Sequence, residues 1–270
     1  MSLEIQECDQ SHEVKLVKSV ARTIDLLVLF VNTDKYLSLK DIAELLNLPK
    51  SSAFELVKTL VYKGILEVKD QNKKTYGLSL LAFEIGSCAI SDTGVHDIAR
   101  PYIQGLNRIT GGTVFLGVED HGKIVYIDRA EDHSIFKAQA KLGSRRNLHT
   151  TSLGKAILYA HSDDKILSLL GDEHYPVNTP LSNTTSVEIL KDAKETRARK
   201  YAIDDREDGV NMYCMGTVIR DRFNNPIASI SVASFYDSMT ESKKQMIAVK
   251  LVETALEISR KLGFSGESLY

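Results

Sequence analysis

Apolar residues recur at helical spacing in three short segments near the N-terminus, covering residues 17–31, 38–48 and 49–64. A repeat at every third or fourth position predicts amphipathic helices, each with one buried face. Ser38 is a candidate N-cap for the second helix, with Asp41 placed to complete a capping box. The positions expected to face the core are Val17, Val20, Ile24, Leu27 and Val31, then Ile42, Leu45 and Leu46, then Phe54, Val57, Leu60 and Val61.

The residues after the third helix form two short alternating runs around the polar turn DQNKK. This alternation predicts a two-stranded hairpin. Three helices followed by a hairpin predict a winged helix-turn-helix domain over residues 14–79, in which the third helix enters the major groove of DNA and the hairpin forms the wing. Lys73 and Lys74 at the wing tip are expected to neutralise phosphates. Alternatively, these lysines only solvate the turn and the domain pairs with another protein.

The chain beyond residue 79 predicts a different architecture. Residues 80–94 are expected to form a linker helix, and residues 95–265 a second domain. Strands are predicted at TVFLGVED, KIVYIDRAE, SIFKAQAKL and YAIDD, followed by a strand pair within NMYCMGTVIRDRFNNPIASISVASF and a long C-terminal helix. Consecutive strands with helices to their sides are typical of an α+β domain built on an antiparallel sheet. Residues 1–13 and 266–270 are expected to be tails.

Composition agrees with a two-domain protein that acts in the cytoplasm. The chain has 270 residues, of which 43% are hydrophobic and 26% charged. No apolar run approaches the roughly 20 residues of a membrane span, and the N-terminus does not resemble a signal peptide. The net charge of -2 argues against a generally basic surface, yet residues 14–80 hold eleven Lys or Arg against seven Asp or Glu. A locally basic N-terminal domain is consistent with DNA binding.

The sequence offers no catalytic or metal-binding motif. Gly154 and Lys155 suggest a phosphate-binding loop, but His149 stands where that motif needs its first glycine and Ala156 where it needs a hydroxyl. The seven histidines lack the spacing of metal ligands, and the three cysteines lie far apart and are expected to be free thiols. We therefore expect no catalytic residue, no metal and no cofactor.

Small polar residues of the second domain are candidates for a binding site. Ser152 is predicted at a helix start, Asp204 after a strand, and Cys214 and Ser231 within strands. Backbone N–H groups at a helix start attract a carboxylate, and hydroxyl or thiol groups could hold the other end of a small ligand. Alternatively, Cys214 and Ser231 are small core residues and Asp204 is a solvated loop end.

The chain resembles the IclR family of bacterial transcriptional regulators in four stretches that occur in the family's order. These are SVARTIDLL, LPKSSAFELVKTL, HTTSLGKAILYA, and YAIDDREDGVNMYC followed by NPIASISVAS. The resemblance covers roughly residues 15 to 263. It implies an N-terminal winged helix-turn-helix, a linker helix and a C-terminal GAF-like domain that binds a small metabolite. It also implies dimers or dimers of dimers that bind palindromic operators in double-stranded DNA, as repressors or activators.

The family's reader motif, similar to L-P-K-S-T-x-[HY]-R-L-L, matches residues 48–57 with two departures. Phe54 stands where His or Tyr is usual, and Glu55 where Arg is usual. Because an anion should avoid phosphates, Glu55 is expected either to face away from DNA or to accept from a cytosine amino group. The predicted DNA-binding residues are Arg22, Ser38, Lys50, Ser51, Ser52, Phe54, Glu55, Lys58, Lys73 and Lys74.

The resemblance also places an effector site in the second domain. It implies Ser152, Leu153, Asp204, Cys214, Ser231 and Ala233 as effector-binding residues. Ala233 stands where some relatives have a second serine, and Asn147 replaces a common proline. These departures predict a less polar or differently shaped effector, for which an organic acid or a sugar derivative is the expected class.

The expected function is transcriptional regulation of a catabolic operon, with repression as the expected mode. The effector would favour one conformation of the second domain, and the linker would reset the spacing of two paired reader helices. The alternative is a winged-helix protein-interaction module fused to a ligand-binding or enzymatic α+β domain. In an enzyme of that kind Asp204, Cys214 or His149 would be catalytic.

Overall fold

The computed structural model describes residues 16–31, 33, 36–91, 94–131, 140–171 and 175–270. The predicted tail of residues 1–13 lies outside them. The chain divides into two compact units, the first ending at Cys88 and the second beginning at Ala89. Across the described ranges, every helix is too short or too polar to cross a membrane.

The first unit is a winged helix-turn-helix, as predicted. Its elements are α1 (Lys18–Val31), β1 (Leu37–Ser38), α2 (Leu39–Leu45), α3 (Lys50–Tyr62), β2 (Leu66–Asp70), β3 (Thr75–Leu78) and most of α4 (Leu80–Ser91), whose last turn belongs to the second unit. The wing sheet has one strand more than predicted, because β1 pairs with β3 in an antiparallel sheet of order β1-β3-β2. The predicted capping box of α2 is present, since Ser38 and Asp41 bind each other's backbone N–H groups.

Of the five residues predicted to form the buried face of α1, Leu27 packs against the core, but the prediction is wrong for the other four, among them Val31, which is 51% exposed. Val17, Val20 and Ile24 are 65%, 59% and 55% exposed, whereas Leu26, which falls outside the predicted stripe, is fully buried. The helix is apolar on more than one side, with Leu26, Leu27, Leu29 and Phe30 in succession. Periodicity therefore predicted the helix but could not select the face that packs.

The core of this unit also differs at two other predicted positions. Leu45 and Phe54 are 59% and 45% exposed. The buried residues of α2 and α3 are Ile42, Ala43, Ala53, Val57 and Leu60. Phe54 is therefore available for an interaction outside the unit.

The second unit is an α+β domain with a six-stranded antiparallel sheet of order β6-β5-β4-β9-β8-β7. Its elements are α5 (Val95–Thr110), β4 (Thr113–Asp120), β5 (Lys123–Ala130), β6 (Arg145–Asn147), α6 (Ser152–Leu158), α7 (Asp163–Leu170), α8 (Ser186–Arg199), β7 (Ala202–Asp205), β8 (Met212–Arg220), β9 (Pro226–Phe235) and α9 (Glu241–Lys261). Strand β6 was not predicted, and most of the strand predicted at SIFKAQAKL lies outside the described residues.

Helices cover both faces of this sheet. Successive residues of a strand point to opposite faces, so Val114 and Leu116 pack with α5 and α9, whereas Phe115 packs with α6 and α8. The apolar core of this unit is thus divided between two layers, and the layer under α6 includes the candidate effector residues Leu153, Cys214 and Ala233.

The close approach of α6 to the sheet depends on Gly216 in β8. A Cβ atom at this position would clash with the carbonyl group of Ser152 at the start of α6. The absence of a side chain therefore allows the first turn of α6 to lie directly on β8.

The predicted C-terminal tail, residues 266–270, packs into the domain instead. Leu269 is 2% exposed, and its carbonyl oxygen accepts from Nε of Arg220 at 2.6 Å. The hydroxyl of Tyr270 donates to the carbonyl oxygen of Ala156 at 3.2 Å. Apolar burial holds this segment, although its composition, GESLY, is polar enough to suggest a tail.

The packing of α6 against Gly216 can be tested with two matched glycine substitutions. We expect Gly216→Ala to lower the free energy of unfolding by about 2–3 kcal/mol, because the added methyl group has no room. Gly105→Ala, in α5, adds the same methyl group where nothing lies within 4 Å. That variant should be neutral or stabilised by about 0.5–1 kcal/mol, because alanine favours a helix. Urea unfolding of both variants measures the difference, and equal stabilities would contradict the packing described.

Candidate functional site

The exposed side of α3 is the candidate DNA interface, and we call it the reader face. Ala53, Val57 and Leu60 fix the helix to the core. The reader face carries the predicted DNA-binding residues Ser51, Phe54, Glu55 and Lys58, all exposed. Lys50 is exposed at the helix start, and Ser52 is half-buried.

Two neighbouring side chains on the reader face interact with each other. Nζ of Lys58 lies 5.8 Å from the centre of the Phe54 ring, within range of a cation–π interaction. Glu55 forms no ion pair with any described residue, and its backbone carbonyl accepts from the hydroxyl of Thr59 at 2.7 Å. The reader face therefore presents a cation held beside an aromatic ring and a separate carboxylate.

The wing tip is a tight, hydrogen-bonded turn. The Asp70 carboxylate accepts from the backbone N–H groups of Lys73 and Asn72 at 3.0 and 2.9 Å, and these bonds lower the pKa of Asp70. Lys73 and Lys74 project from this turn and are exposed. The predicted wing lysines thus stand on an ordered tip.

The remaining predicted DNA-binding residues lie elsewhere in the unit. Arg22 is exposed on α1. Ser38 caps α2, and its hydroxyl is bonded to the Asp41 carboxylate at 2.7 Å. Ser38 could contact a phosphate only through the hydroxyl that already binds Asp41. This limit does not apply to Arg22.

A cavity of about 380 Å³ lies beside α6 on the sheet of the second unit. Five of the six predicted effector residues line it, namely Ser152, Asp204, Cys214, Ser231 and Ala233. Leu153, the sixth, is 1% exposed and packs in the hydrophobic layer under α6 instead.

Strand register explains why residues distant in sequence meet at this cavity. Asp204, Cys214 and Ala233 are directly paired across β7, β8 and β9. The next row on the same face places Ser231 between Gly216 and Phe115. Because Gly216 adds no side chain, Ser152 can approach this row from α6.

Asp204 is a buried carboxyl group at the cavity wall. It is 3% exposed and accepts from the backbone N–H groups of Glu207 and Asp208 at 2.8 and 3.2 Å. Burial, only partly offset by these bonds, raises the pKa of Asp204 to about 7. Burial and the nearby Asp204 also raise the pKa of Cys214 well above its usual value. Near neutral pH the wall thus carries a titrating carboxyl and an uncharged thiol.

Arg146 is a cavity residue that sequence reasoning missed. It lies next to Arg145 on β6, where alternation sends the two side chains to opposite faces. Arg145 forms an ion pair with Asp120, but the guanidinium of Arg146 makes no hydrogen bond or ion pair with the described residues. Strand alternation would have separated the two arginines, had β6 been predicted.

The aromatic part of the wall was also missed. Phe115 and Tyr126 meet edge to face, with ring centres 5.1 Å apart and planes at 89°. Phe235 adds a third ring to the lining. Aromatic residues in short buried strands are normally core residues, so nothing in the sequence marked these three as a binding surface.

Lys155, which together with Gly154 suggested a phosphate-binding loop, has a structural role instead. Lys155 is fully buried, and its Nζ is bonded to the Asp192 carboxylate at 2.7 Å, to Glu207, and to the carbonyl oxygen of Ile203 at 3.1 Å. We call this the Lys155 ion cluster. His149 is likewise buried away from the cavity lining, 3.0 Å from the carbonyl oxygen of Pro176, and burial lowers its pKa.

A winged helix-turn-helix joined to a ligand-sized cavity in an α+β domain is the architecture of a transcriptional regulator. Comparisons with known proteins agree. The IclR helix-turn-helix domain matches residues 19–70, and the C-terminal domain described as "Bacterial transcriptional regulator IclR C-terminal" matches residues 87–260. The chain belongs to the IclR family of bacterial transcriptional regulators.

Relatives with full-length similarity support the same identification. The chain is 26% identical to the regulator XynR of Escherichia coli, covering 92% of this chain and 98% of XynR. It is 27% identical to the repressor AllR of Escherichia coli, with 92% of each covered. The crystal structure of Thermotoga maritima IclR superposes with a TM-score of 0.78 at 28% identity, covering 92% of this chain and 100% of that one.

A further similar structure was solved as a complex with a small molecule. An IclR homologue from Microbacterium hydrocarbonoxydans, complexed with 4-hydroxybenzoate, shares the fold with a TM-score of 0.75 at 21% identity, covering 90% of this chain and 98% of that one.

The raised pKa of Asp204 gives a prediction about pH and stability. The folded carboxyl titrates near 7 and the unfolded one near 3.8, so the folded state binds this proton more tightly. The contribution of Asp204 to stability therefore falls as the pH rises from about 4 to about 7. Asp204→Asn keeps the oxygen that accepts from Glu207 and Asp208 but cannot ionise.

Between about pH 5 and about pH 8, we expect the free energy of unfolding of the wild type to fall by about 2–3 kcal/mol more than that of Asp204→Asn. Urea unfolding at both pH values measures this difference. Parallel pH dependence of the two proteins would show that Asp204 ionises normally in the folded state.

Proposed function

We propose that the protein is an effector-responsive repressor of a catabolic operon, acting in the cytoplasm without catalysing a reaction. The observation that carries this proposal is the combination, in one chain, of the reader face with a cavity whose Arg146 forms no hydrogen bond or ion pair with any described residue. The name of the relative AllR, a repressor, supports the mode of action. Control by a bound effector requires only that it binds one conformation better than another.

The cavity favours a small organic acid as the effector. The guanidinium of Arg146, which lines the cavity and pairs with no residue in the described ranges, offers a charge-assisted, bidentate site for a carboxylate. The walls of Phe115, Tyr126 and Phe235 suit an apolar or aromatic body, and Asp204 supplies a hydrogen-bonding group. The 4-hydroxybenzoate in the Microbacterium homologue has this combination of carboxylate, ring and polar end. Among the expected classes, these features favour an organic acid over a sugar derivative.

The first unit supports self-association into dimers. The outward side of α1 exposes Val20, Ile24, Val28 and Val31, Val17 is exposed just before the helix, and the start of α4 exposes Leu80, Phe83 and Ile85. Exposed apolar residues in such a run mark an interaction surface. A second copy of the chain is the occupant we propose, because a palindromic operator needs two reader helices about 34 Å apart.

The enzyme alternative finds little support in the geometry. A nucleophilic cysteine needs a lowered pKa, whereas burial raises that of Cys214. His149 does not line the cavity, so it is not placed to act as a base for Cys214 or for a bound substrate. The protein-interaction alternative differs from our proposal in predicting no DNA binding.

DNA binding is tested by gel shift with the DNA upstream of the protein's own gene and its neighbours, at several salt concentrations. We expect affinity to fall as salt rises, because lysines and arginines displace counterions from phosphates. Lys73→Ala should weaken binding to all sequences alike and reduce the slope of log affinity against log salt by roughly one. Absence of salt-dependent binding to any duplex would favour the protein-interaction alternative.

The effector site is tested by thermal shift with a panel of small carboxylates that includes 4-hydroxybenzoate, each paired with its uncharged amide. A ligand that binds only the folded state raises the melting temperature, and we expect this for carboxylates but not for amides. Arg146→Ala should weaken binding roughly tenfold or more, because a charged hydrogen bond is lost. Arg145→Ala, which removes the adjacent surface arginine, is the matched control and should bind normally. Equal loss in both variants would refute the assignment of Arg146.

A further inference from the structure

The side of α3 that faces away from the core carries an acidic side chain, that of Glu55. Ala53, Val57 and Leu60 mark the buried side of α3. In a helix of 3.6 residues per turn, the opposite side is occupied by Glu55 and, two turns further on, by Tyr62. Glu55 is in the half of the helix nearer its N-terminus, the half that contacts base edges when a helix of this motif enters the major groove. In a helix docked in this way, the side chain of Glu55 would point towards the floor of the groove rather than towards the phosphates at its rim.

The neighbouring cation leaves this carboxylate unneutralised. Lys58 follows Glu55 by three residues, a spacing that permits an ion pair along the helix. Its ammonium group lies over the Phe54 ring instead, at 5.8 Å from the ring centre, and no other described residue forms an ion pair with Glu55. The carboxylate is thus available as an acceptor on the surface that would face the bases.

Few groups in the major groove can favour a carboxylate. Most base edges there present acceptors, which repel it, whereas the amino group of cytosine is a donor that glutamate recognises. Phe54 precedes Glu55 and is 45% exposed, so its ring can contact the groove beside the position that Glu55 reads. The apolar feature of the major groove is the methyl group of thymine.

We propose that α3 reads a cytosine through Glu55 and the methyl group of a neighbouring thymine through Phe54, in each half of the operator. The proposal rests on the proposed function, because it assumes that α3 binds DNA. It goes further by assigning two side chains to two base pairs. The Lys58 ammonium, held beside the Phe54 ring, is left to contact phosphate.

The experiment begins with selection of the preferred operator from a random duplex library by the wild-type protein. Each thymine is then replaced by uracil, which lacks the methyl group, and each cytosine by N4-methylcytosine, whose amino donor in the major groove is blocked. We expect one cytosine replacement to weaken binding roughly tenfold. A nearby uracil should weaken it roughly fourfold, the loss expected for one buried methyl group.

Variants assign each effect to its side chain. Glu55→Ala should bind the N4-methylcytosine duplex and the unmodified duplex equally, and Phe54→Ala should be indifferent to uracil. Glu55→Gln should move the preference at one position from cytosine to adenine, because a glutamine amide pairs with both polar groups of adenine. Lys73→Ala is the control, since loss of a phosphate contact should weaken all duplexes by the same factor and leave both sensitivities intact.

The outcomes separate this inference from the function on which it rests. If the wild type selects an operator but tolerates both replacements at every position, and Glu55→Gln selects the same operator, the assignment of Glu55 and Phe54 is wrong while DNA binding stands. If no duplex is bound at any salt concentration, both the inference and the proposed function fail. Circular dichroism and thermal unfolding establish that each variant is folded before binding is compared.

Discussion

The buried ammonium group of Lys155 ties together α6, α8 and the loop after β7, of which α6 and the loop line the cavity. Lys155 belongs to α6, its partner Asp192 to α8, and its partner Glu207 to the loop that follows β7. The same loop bonds to Asp204 through the backbone of Glu207. A buried charge is stable only while its partners remain in place, so the position of α6, the position of α8 and the shape of the cavity wall are mutually dependent. A displacement of the loop by a bound ligand would therefore be felt at both helices.

Short-range patterns were sufficient to predict the architecture. Ser38 with Asp41 predicted the start of α2, and alternation around the turn at Asp70–Lys74 predicted the wing. These features depend on neighbours in sequence, for which propensity and capping supply the physics. The face on which α1 packs depends instead on partners distant in sequence. Its apolar residues surround too much of the helix for a period of 3.6 to choose between faces, so the prediction for Val17, Val20 and Ile24 failed.

The cavity residues were likewise predicted in part and missed in part. Asp204, Cys214 and Ser231 were candidates from their predicted places in strands and at a strand end, and resemblance to the IclR family supported them. Strand pairing places them around one cavity. Arg146 was missed because an Arg-Arg pair in an unassigned segment looks like solvated surface, and only the pairing of β6 with β5 separates its two members. Leu153 was included by its place in a motif, although its side chain packs in the core. A motif locates a segment, whereas the direction of each side chain is decided by tertiary packing.

The position of Asp204 also makes the cavity a site of proton exchange. A carboxyl that titrates near neutral pH gains or loses its proton when a charge arrives beside it, and an anion bound near Arg146 would favour the protonated form. By reciprocity, uptake of that proton strengthens the binding of the anion by the same factor. Binding of a carboxylate at this cavity would then strengthen as the pH falls towards about 7, the pKa of Asp204.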